Sequence, residues 1–129
     1  MDRMTITLLL ILFLLSVNIL HAENSNSSDR VQKIEIVVNS YSFKPETITV
    51  EAGKPVEITL RSVASTITHD FTIDDPESGL SITREVKGGR DATLTFTPEK
   101  PGTYKIYCSK KSIFGTHEKK GMVGTLVVN

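Results

Sequence analysis

The sequence has little that would point to a nucleic-acid partner or a disulfide-stabilised fold. Its 15 lysine and arginine residues balance 15 aspartate and glutamate residues, so the formal net charge is +0. Nucleic-acid binding calls for a basic excess, and none is present, so we expect no nucleic-acid partner. The 129 residues include one cysteine, which excludes an internal disulfide. The single thiol therefore needs another explanation.

No apolar run reaches the length of a membrane-spanning helix. The longest, residues 6–20, has about 15 residues, whereas a spanning helix needs roughly 20. Arg3, diluted by Asp2, gives it a weakly basic start, and Ala22 supplies a small residue before a cleavage point. We predict a cleaved signal peptide over residues 1–22, with an uncleaved membrane anchor as the alternative.

The predicted mature chain starts with a short tether and continues as one domain. Residues 23–30 are polar and of low complexity, which is typical of a flexible N-terminal tether. Residues 31–129 are enough for a single modest core. A signal peptide implies a periplasmic or extracellular location. No cysteine lies near the cleavage point, so we expect no lipid anchor. We also expect the protein to be a monomer.

Apolar and polar residues alternate along this domain with a period of two. β-Branched residues are enriched, and no long stretch follows the 3.6-residue period of a helix. The predicted strands are 33–38, 47–51, 56–61, 67–73, 80–85, 92–97, 103–108 and 122–128. About eight short strands in a domain of this size favour an all-β fold, either an antiparallel sandwich or an eight-stranded Greek-key barrel.

Four residues of the predicted mature chain can bind a soft metal. Its histidines, cysteine and methionine are His69, Cys108, His117 and Met122. Copper that shuttles electrons needs ligands suited to both of its oxidation states, and two imidazoles, one thiolate and a weak axial thioether meet that need. Cys108 ends a predicted strand, His117 lies on the long loop over residues 109–121, and Met122 opens the last strand. The set therefore predicts one mononuclear copper site.

These residues belong to an ordered series of motifs that resembles the cupredoxins, the family of plastocyanin, azurin and the copper domain of cytochrome oxidase subunit II. The motifs are YSFKPETITV at 41–50, HDF at 69–71, FTP at 96–98, PGTY at 101–104, YCS at 107–109 and GMVGTLVV at 121–128. The resemblance implies an eight-stranded Greek-key barrel, one type 1 copper and one-electron transfer. It assigns His69, Cys108 and His117 as equatorial ligands and Met122 as the axial ligand.

The sequence departs from the family pattern in the loop and beside the first histidine. Eight residues separate Cys108 from His117, more than in plastocyanin or azurin. Ser112 stands where a two-copper centre would need a second cysteine, so we do not expect a dinuclear site. The family often has Asn after the first histidine, but here the residue is Asp70. We expect its carboxylate to accept a hydrogen bond from Ser109 and to support the site without binding the metal.

The resemblance also implies docking of redox partner proteins at the copper end of the molecule. In such proteins the loop histidine reaches the surface through an apolar patch, and Ile113 and Phe114 are candidates for that patch here. The same loop carries four lysines, which are Lys110, Lys111, Lys119 and Lys120. A locally positive copper end predicts a partner with an acidic docking patch.

Three functions fit this set of residues. The first is a diffusible one-electron carrier, and it is favoured because four protein ligands close the site. The second is a copper carrier or chaperone without redox turnover. The third is a copper enzyme or a small copper subunit of an oxidoreductase, which is disfavoured because no spare histidine remains for a second metal.

Overall fold

The computed structural model of the protein describes residues 30–129. The predicted signal peptide and nearly all of the predicted tether lie outside the described residues. Within residues 30–129, no helix is both long enough and apolar enough to cross a membrane.

The described chain folds almost entirely as strands. They are β1 (Gln32–Asn39), β2 (Ser42–Lys44), β3 (Thr47–Val50), β4 (Val56–Ser62), β5 (His69–Asp75), β6 (Leu80–Val86), β7 (Ala92–Phe96), β8 (Gly102–Tyr107), β9 (Lys111–Ser112), β10 (Gly115–Thr116) and β11 (Val123–Val128). Two 3-10 helices, Pro76–Ser78 and Glu118–Lys120, lie in the loops. Every predicted strand overlaps an observed one. β2, β9 and β10 were not predicted, because two or three residues are too few to show alternation.

Two sheets face each other as a sandwich, which confirms the predicted all-β fold in its sandwich form. One sheet has the order β2-β1-β4-β7 and the other β3-β11-β8-β5-β6. Most neighbours are antiparallel, but β1 pairs with β4 and β3 pairs with β11 in parallel. These two parallel pairs are a departure from the antiparallel sandwich that the sequence predicts.

The core lies between the sheets and consists of the inward-facing residues of each strand. In β4 the side chains of Val56, Ile58 and Leu60 are fully buried, and the residues between them are half-buried. The same alternation buries Ile106 and Leu126 in the opposite sheet. This apolar cluster also contains Cys108 and Met122, so the candidate site is continuous with the core.

One glycine fixes how closely β11 approaches the start of β3. The Thr125 amide donates to the Glu46 carbonyl oxygen at 2.7 Å. A Cβ added at Gly124 would lie 2.8 Å from that same oxygen, which is closer than real Cβ atoms approach. Glycine is required here because any side chain would push apart the two strands just beyond Met122.

Candidate metal centre

The strand directions bring the predicted ligands to one end of the sandwich. Cys108 directly follows β8, and both neighbours of β8, β5 and β11, run antiparallel to it. Tyr107, the last residue of β8, pairs with Thr72 of β5 and with Val123 of β11. Cys108 therefore lies beside the first half of β5, which begins at His69, and beside Met122, which immediately precedes β11. His117 caps the 3-10 helix Glu118–Lys120 in the loop between β8 and β11.

Three donor atoms converge in a small buried space. His69 Nδ1 lies 3.1 Å from His117 Nδ1, and Cys108 Sγ lies 3.5 Å from His117 Nδ1 and 3.9 Å from His69 Nδ1. The side chains of His69 and Cys108 are fully buried, and His117 is 4% exposed. Such an arrangement of two imidazole nitrogens and one sulfur suits a metal that accepts both kinds of ligand.

Met122 is tied to two of these residues through its backbone. Its amide donates to the His117 carbonyl at 3.1 Å, and its carbonyl accepts from the Cys108 amide at 3.2 Å. Its side chain is fully buried in the same apolar cluster as Cys108. The backbone of Met122 is therefore positioned by both ligand-bearing segments.

The buried surroundings set the protonation of the donors. Burial lowers the pKa of His69, the neighbouring His117 lowers it further, and Asp70 opposes the change. Burial also lowers the pKa of His117, with a smaller contribution from the Lys120 charge. Both shifts favour the neutral imidazole, which is the form that binds a metal.

The Cys108 thiol and the Nε2 nitrogen of His69 are the remaining polar groups of the site. Burial raises the pKa of Cys108, so a metal that binds the sulfur must displace a proton. His69 Nε2 is buried and has no hydrogen-bond partner among residues 30–129. Two neutral imidazoles and an ionisable sulfur fit copper well.

Asp70 links β5 to the loop that carries the other ligands. Its side chain is 2% exposed. One carboxylate oxygen accepts from the Ser109 amide at 2.7 Å and the other from the Ser109 hydroxyl at 2.6 Å. The backbone amide of Asp70 donates to Cys108 Sγ at 3.3 Å. Contacts of this kind orient a ligand and tune the electron density on its sulfur.

The loop over residues 109–121 contains a short β-hairpin followed by a 3-10 helix. β9 and β10 form a hairpin with Ile113 and Phe114 at its tip. The Ser112 hydroxyl donates to the Gly115 carbonyl at 3.1 Å and accepts from the Phe114 amide at 3.3 Å, and the His117 amide donates to the Lys110 carbonyl at 2.9 Å. Ser112 thus stabilises the turn of the hairpin, at the position where a two-copper centre would have a cysteine.

The surface of this end is apolar at the hairpin tip. Ile113 and Phe114, the candidates for an apolar patch, are 91% and 82% exposed, and His117 is 4% exposed. The four lysines are also not equivalent. Lys110 forms a salt bridge with Glu85 at 2.6 Å, a pairing between distant parts of the sequence that the local charge pattern could not reveal.

Tyr41 is the neighbour of the site that the sequence analysis did not identify. Its ring packs edge-to-face on His117, with ring centroids 4.9 Å apart, and on His69 at 6.1 Å. It belongs to the motif at 41–50, but nothing in that motif indicates a contact with a loop about 80 residues later. Tyr41 covers the two imidazoles and contributes to their burial.

Comparison with known proteins places this geometry in a family. A sequence model of the cupredoxin-like domain matches residues 5–128. Cytochrome c oxidase subunit 2 of Thermus thermophilus is 27% identical over 95 residues, covering 74% of this chain and 64% of the relative. A second Thermus thermophilus sequence of that description is covered over 51% of its length. The chain therefore spans less than two thirds of these curated relatives.

Solved structures of the same fold include several copper proteins. Reduced auracyanin of Roseiflexus castenholzii gives a TM-score of 0.65 at 19% identity, covering 76% of this chain and 97% of that one. Auracyanin A of Chloroflexus aurantiacus, a blue copper protein, gives 0.63 at 22% identity, with coverages of 78% and 100%. A mutant fern plastocyanin gives 0.54 at 27% identity, with coverages of 74% and 99%. His69, Cys108, His117 and Met122 form the residue pattern of a type 1 copper site.

We expect Asp70→Ala to destabilise the metal-free protein by about 1.5–3 kcal/mol, because the Ser109 amide and hydroxyl would lose the buried carboxylate that accepts their hydrogen bonds. Urea unfolding of the metal-free protein measures the change. The matched control is Asp74→Ala, which removes an exposed carboxylate from the same strand and should change stability by less than about 0.5 kcal/mol. Equal losses in the two variants would contradict the structural role of Asp70.

Proposed function

Because this chain belongs to the cupredoxin-like family, we propose that it is a one-electron carrier that binds a single copper ion through His69, Cys108, His117 and Met122. The observation that carries the proposal is the convergence of His69 Nδ1, His117 Nδ1 and Cys108 Sγ in a buried space at 3.1–3.9 Å. When bound, copper would supply a change of one electron between Cu(I) and Cu(II).

The protein's own part in this function is to hold the donors still and keep water out. A backbone hydrogen bond joins Cys108 to Met122 at the ends of neighbouring strands. The backbone of His117 also forms hydrogen bonds with the backbones of Lys110 and Met122. The Asp70 amide donates to the sulfur at 3.3 Å. Donors restrained in this way move little when the charge at the site changes, which suits electron transfer better than delivery of the ion.

The proposal includes export from the cytoplasm. It rests on the predicted signal peptide over residues 1–22 and the polar stretch over residues 23–30 that follows it. The domain over residues 31–129 would then work in the periplasm or outside the cell.

The central test is a titration of the purified protein without residues 1–22 with Cu(II), followed by visible absorption. We expect one copper per chain and an intense thiolate-to-copper band that ascorbate bleaches reversibly. Cys108→Ser should abolish the band, because the thiolate is its source. A Ser variant that keeps the band would show that Cys108 is not a ligand. Tight Cu(I) binding without the band, with rapid transfer to a chelator, would indicate a copper carrier instead.

Met122→Leu tests the proposed axial ligand. The variant should keep the copper and its band but have a higher reduction potential, because the weak thioether bond is lost and a more apolar site favours Cu(I). Potentiometric titration of the copper-loaded proteins measures the difference. Leucine fills a similar volume, so the buried cluster should remain intact. An unchanged potential would show that the Met122 sulfur is not close to the ion.

We also propose that the copper end docks on an acidic surface of the redox partner. Ile113 and Phe114 protrude from the hairpin tip. Lys111, Lys119 and Lys120 form no salt bridge in the described part of the chain, whereas Lys110 is paired with Glu85. The local positive charge therefore comes from three lysines, and it would speed the encounter with an acidic partner more than it would strengthen binding.

The rate of electron exchange with an acidic cytochrome should fall as salt rises, since exposed charges are screened over about 8 Å at physiological ionic strength. Replacing Lys111 and Lys119 by Gln should flatten that dependence without changing the copper band. The control replaces Lys100 by Gln and should leave the salt dependence unchanged, because this exposed lysine precedes β8 and so lies at the end of that strand away from Cys108. A wild-type rate that does not fall with salt would exclude this surface as the docking site.

A further inference from the structure

Tyr41 occupies a position that ordinarily belongs to glycine. Asn39 pairs with Ser42 across β1 and β2, so the turn between these strands has only two residues, Ser40 and Tyr41. Tyr41 has φ 60°, and within residues 30–129 it is the one non-glycine residue with a positive φ. A bulky side chain in this region is strained, and such strain persists where the surroundings hold the residue in place. The contacts of the Tyr41 side chain therefore account for a tyrosine at this position.

The Tyr41 ring contacts both His117 of the candidate metal centre and the ammonium group of Lys120. Lys120 Nζ is 4.5 Å from the centre of the ring and 3.2 Å from the tyrosine hydroxyl. It also donates to the Ser112 hydroxyl at 3.1 Å. His117 is in edge-to-face contact with the Tyr41 ring, with 4.9 Å between the ring centroids. The positive charge of Lys120 is therefore held next to His117 by these contacts.

Among residues 30–129, Lys120 has no salt-bridge partner. Its contacts are two neutral hydroxyl oxygens and the face of Tyr41, with the Phe114 ring at 5.9 Å. Lys110, by contrast, is paired with the carboxylate of Glu85. Lys120 is also half-buried, so water screens its charge less than that of a freely exposed lysine.

We propose that Tyr41 and Lys120 form a latch that fixes a positive charge beside His117 and thereby biases copper in this site toward Cu(I). The inference rests on the proposed copper function. Cu(II) carries one more positive charge than Cu(I), so a fixed ammonium group destabilises it more. The buried carboxylate of Asp70, which accepts from Ser109 next to Cys108, acts in the opposite direction. The latch would offset part of that effect.

The decisive variant is Lys120→Met, which removes the charge and keeps an unbranched side chain. We expect the ratio of Cu(I) affinity to Cu(II) affinity to fall about three- to tenfold, since a single charge acts at close range through a partly buried medium. A tenfold fall corresponds to a reduction potential about 59 mV lower for a one-electron couple. Potentiometric titration and chelator competition measure the two quantities independently.

Two further variants separate the charge from its placement. Tyr41→Gly relieves the positive φ and keeps the turn, but it releases Lys120 into solvent, so it should also lower the ratio. Lys120→Arg keeps the charge and should keep a ratio within about twofold of the wild type. If Lys120→Met fails to fold, Lys120→Gln decides the question, because it also removes the charge and leaves the Tyr41 ring over the two imidazoles.

The matched control is Lys87→Met. Lys87 is exposed and follows Val86, which pairs with His69 across β5 and β6, so this lysine lies near the site without being held against it. The control should change the ratio by less than twofold. A wild-type protein without copper or without the thiolate band would overturn the proposed function itself. If the band is present but Lys120→Met matches Lys87→Met, the copper assignment stands and the latch is wrong.

Discussion

The hydrogen bonds between the Asp70 carboxylate and Ser109 hold the two halves of the candidate site together. One half is His69, at the start of β5, and the other is the segment from Cys108 to Met122. These halves are far apart in the sequence and meet only because β5 and β8 are antiparallel neighbours. The buried carboxylate receives both the amide and the hydroxyl of Ser109, and charge-assisted bonds of this kind are among the stronger ones available to a protein. The distance between His69 and the loop is fixed accordingly.

Three different groups surround the candidate ligands. The carboxylate of Asp70 lies on one side and the Tyr41–Lys120 pair on another, while the hairpin with Ile113 and Phe114 extends into solvent. A negative group and a positive group therefore act on the same buried donors from different directions. Lys120 also contacts the hairpin, through the Ser112 hydroxyl at 3.1 Å, so this lysine belongs both to the proposed docking surface and to the pair that tunes the site.

The strands and the four candidate ligands could be predicted from the sequence because their signals are local or compositional. Alternation over five or more residues marks a strand, and few residues of the predicted mature chain can bind a soft metal. The β9–β10 hairpin, the Lys110–Glu85 salt bridge and the contact of Tyr41 with His117 could not be predicted. Each depends on the tertiary approach of distant residues or on a backbone angle that residue type does not indicate. The signal peptide stays a prediction, since it lies outside the described residues.

The position of β11 has a consequence for the order of assembly. β11 follows all the other strands along the chain, yet it lies inside its sheet, with β3 on one side and β8 on the other. β3 and β8 cannot be joined until β11 inserts between them, and such long-range pairing forms late and slowly. Because Met122 immediately precedes β11, insertion of this strand completes the sheet and the ligand set in one event. A substitution that slows this insertion would thus resemble a defect in metal loading, although every ligand is intact.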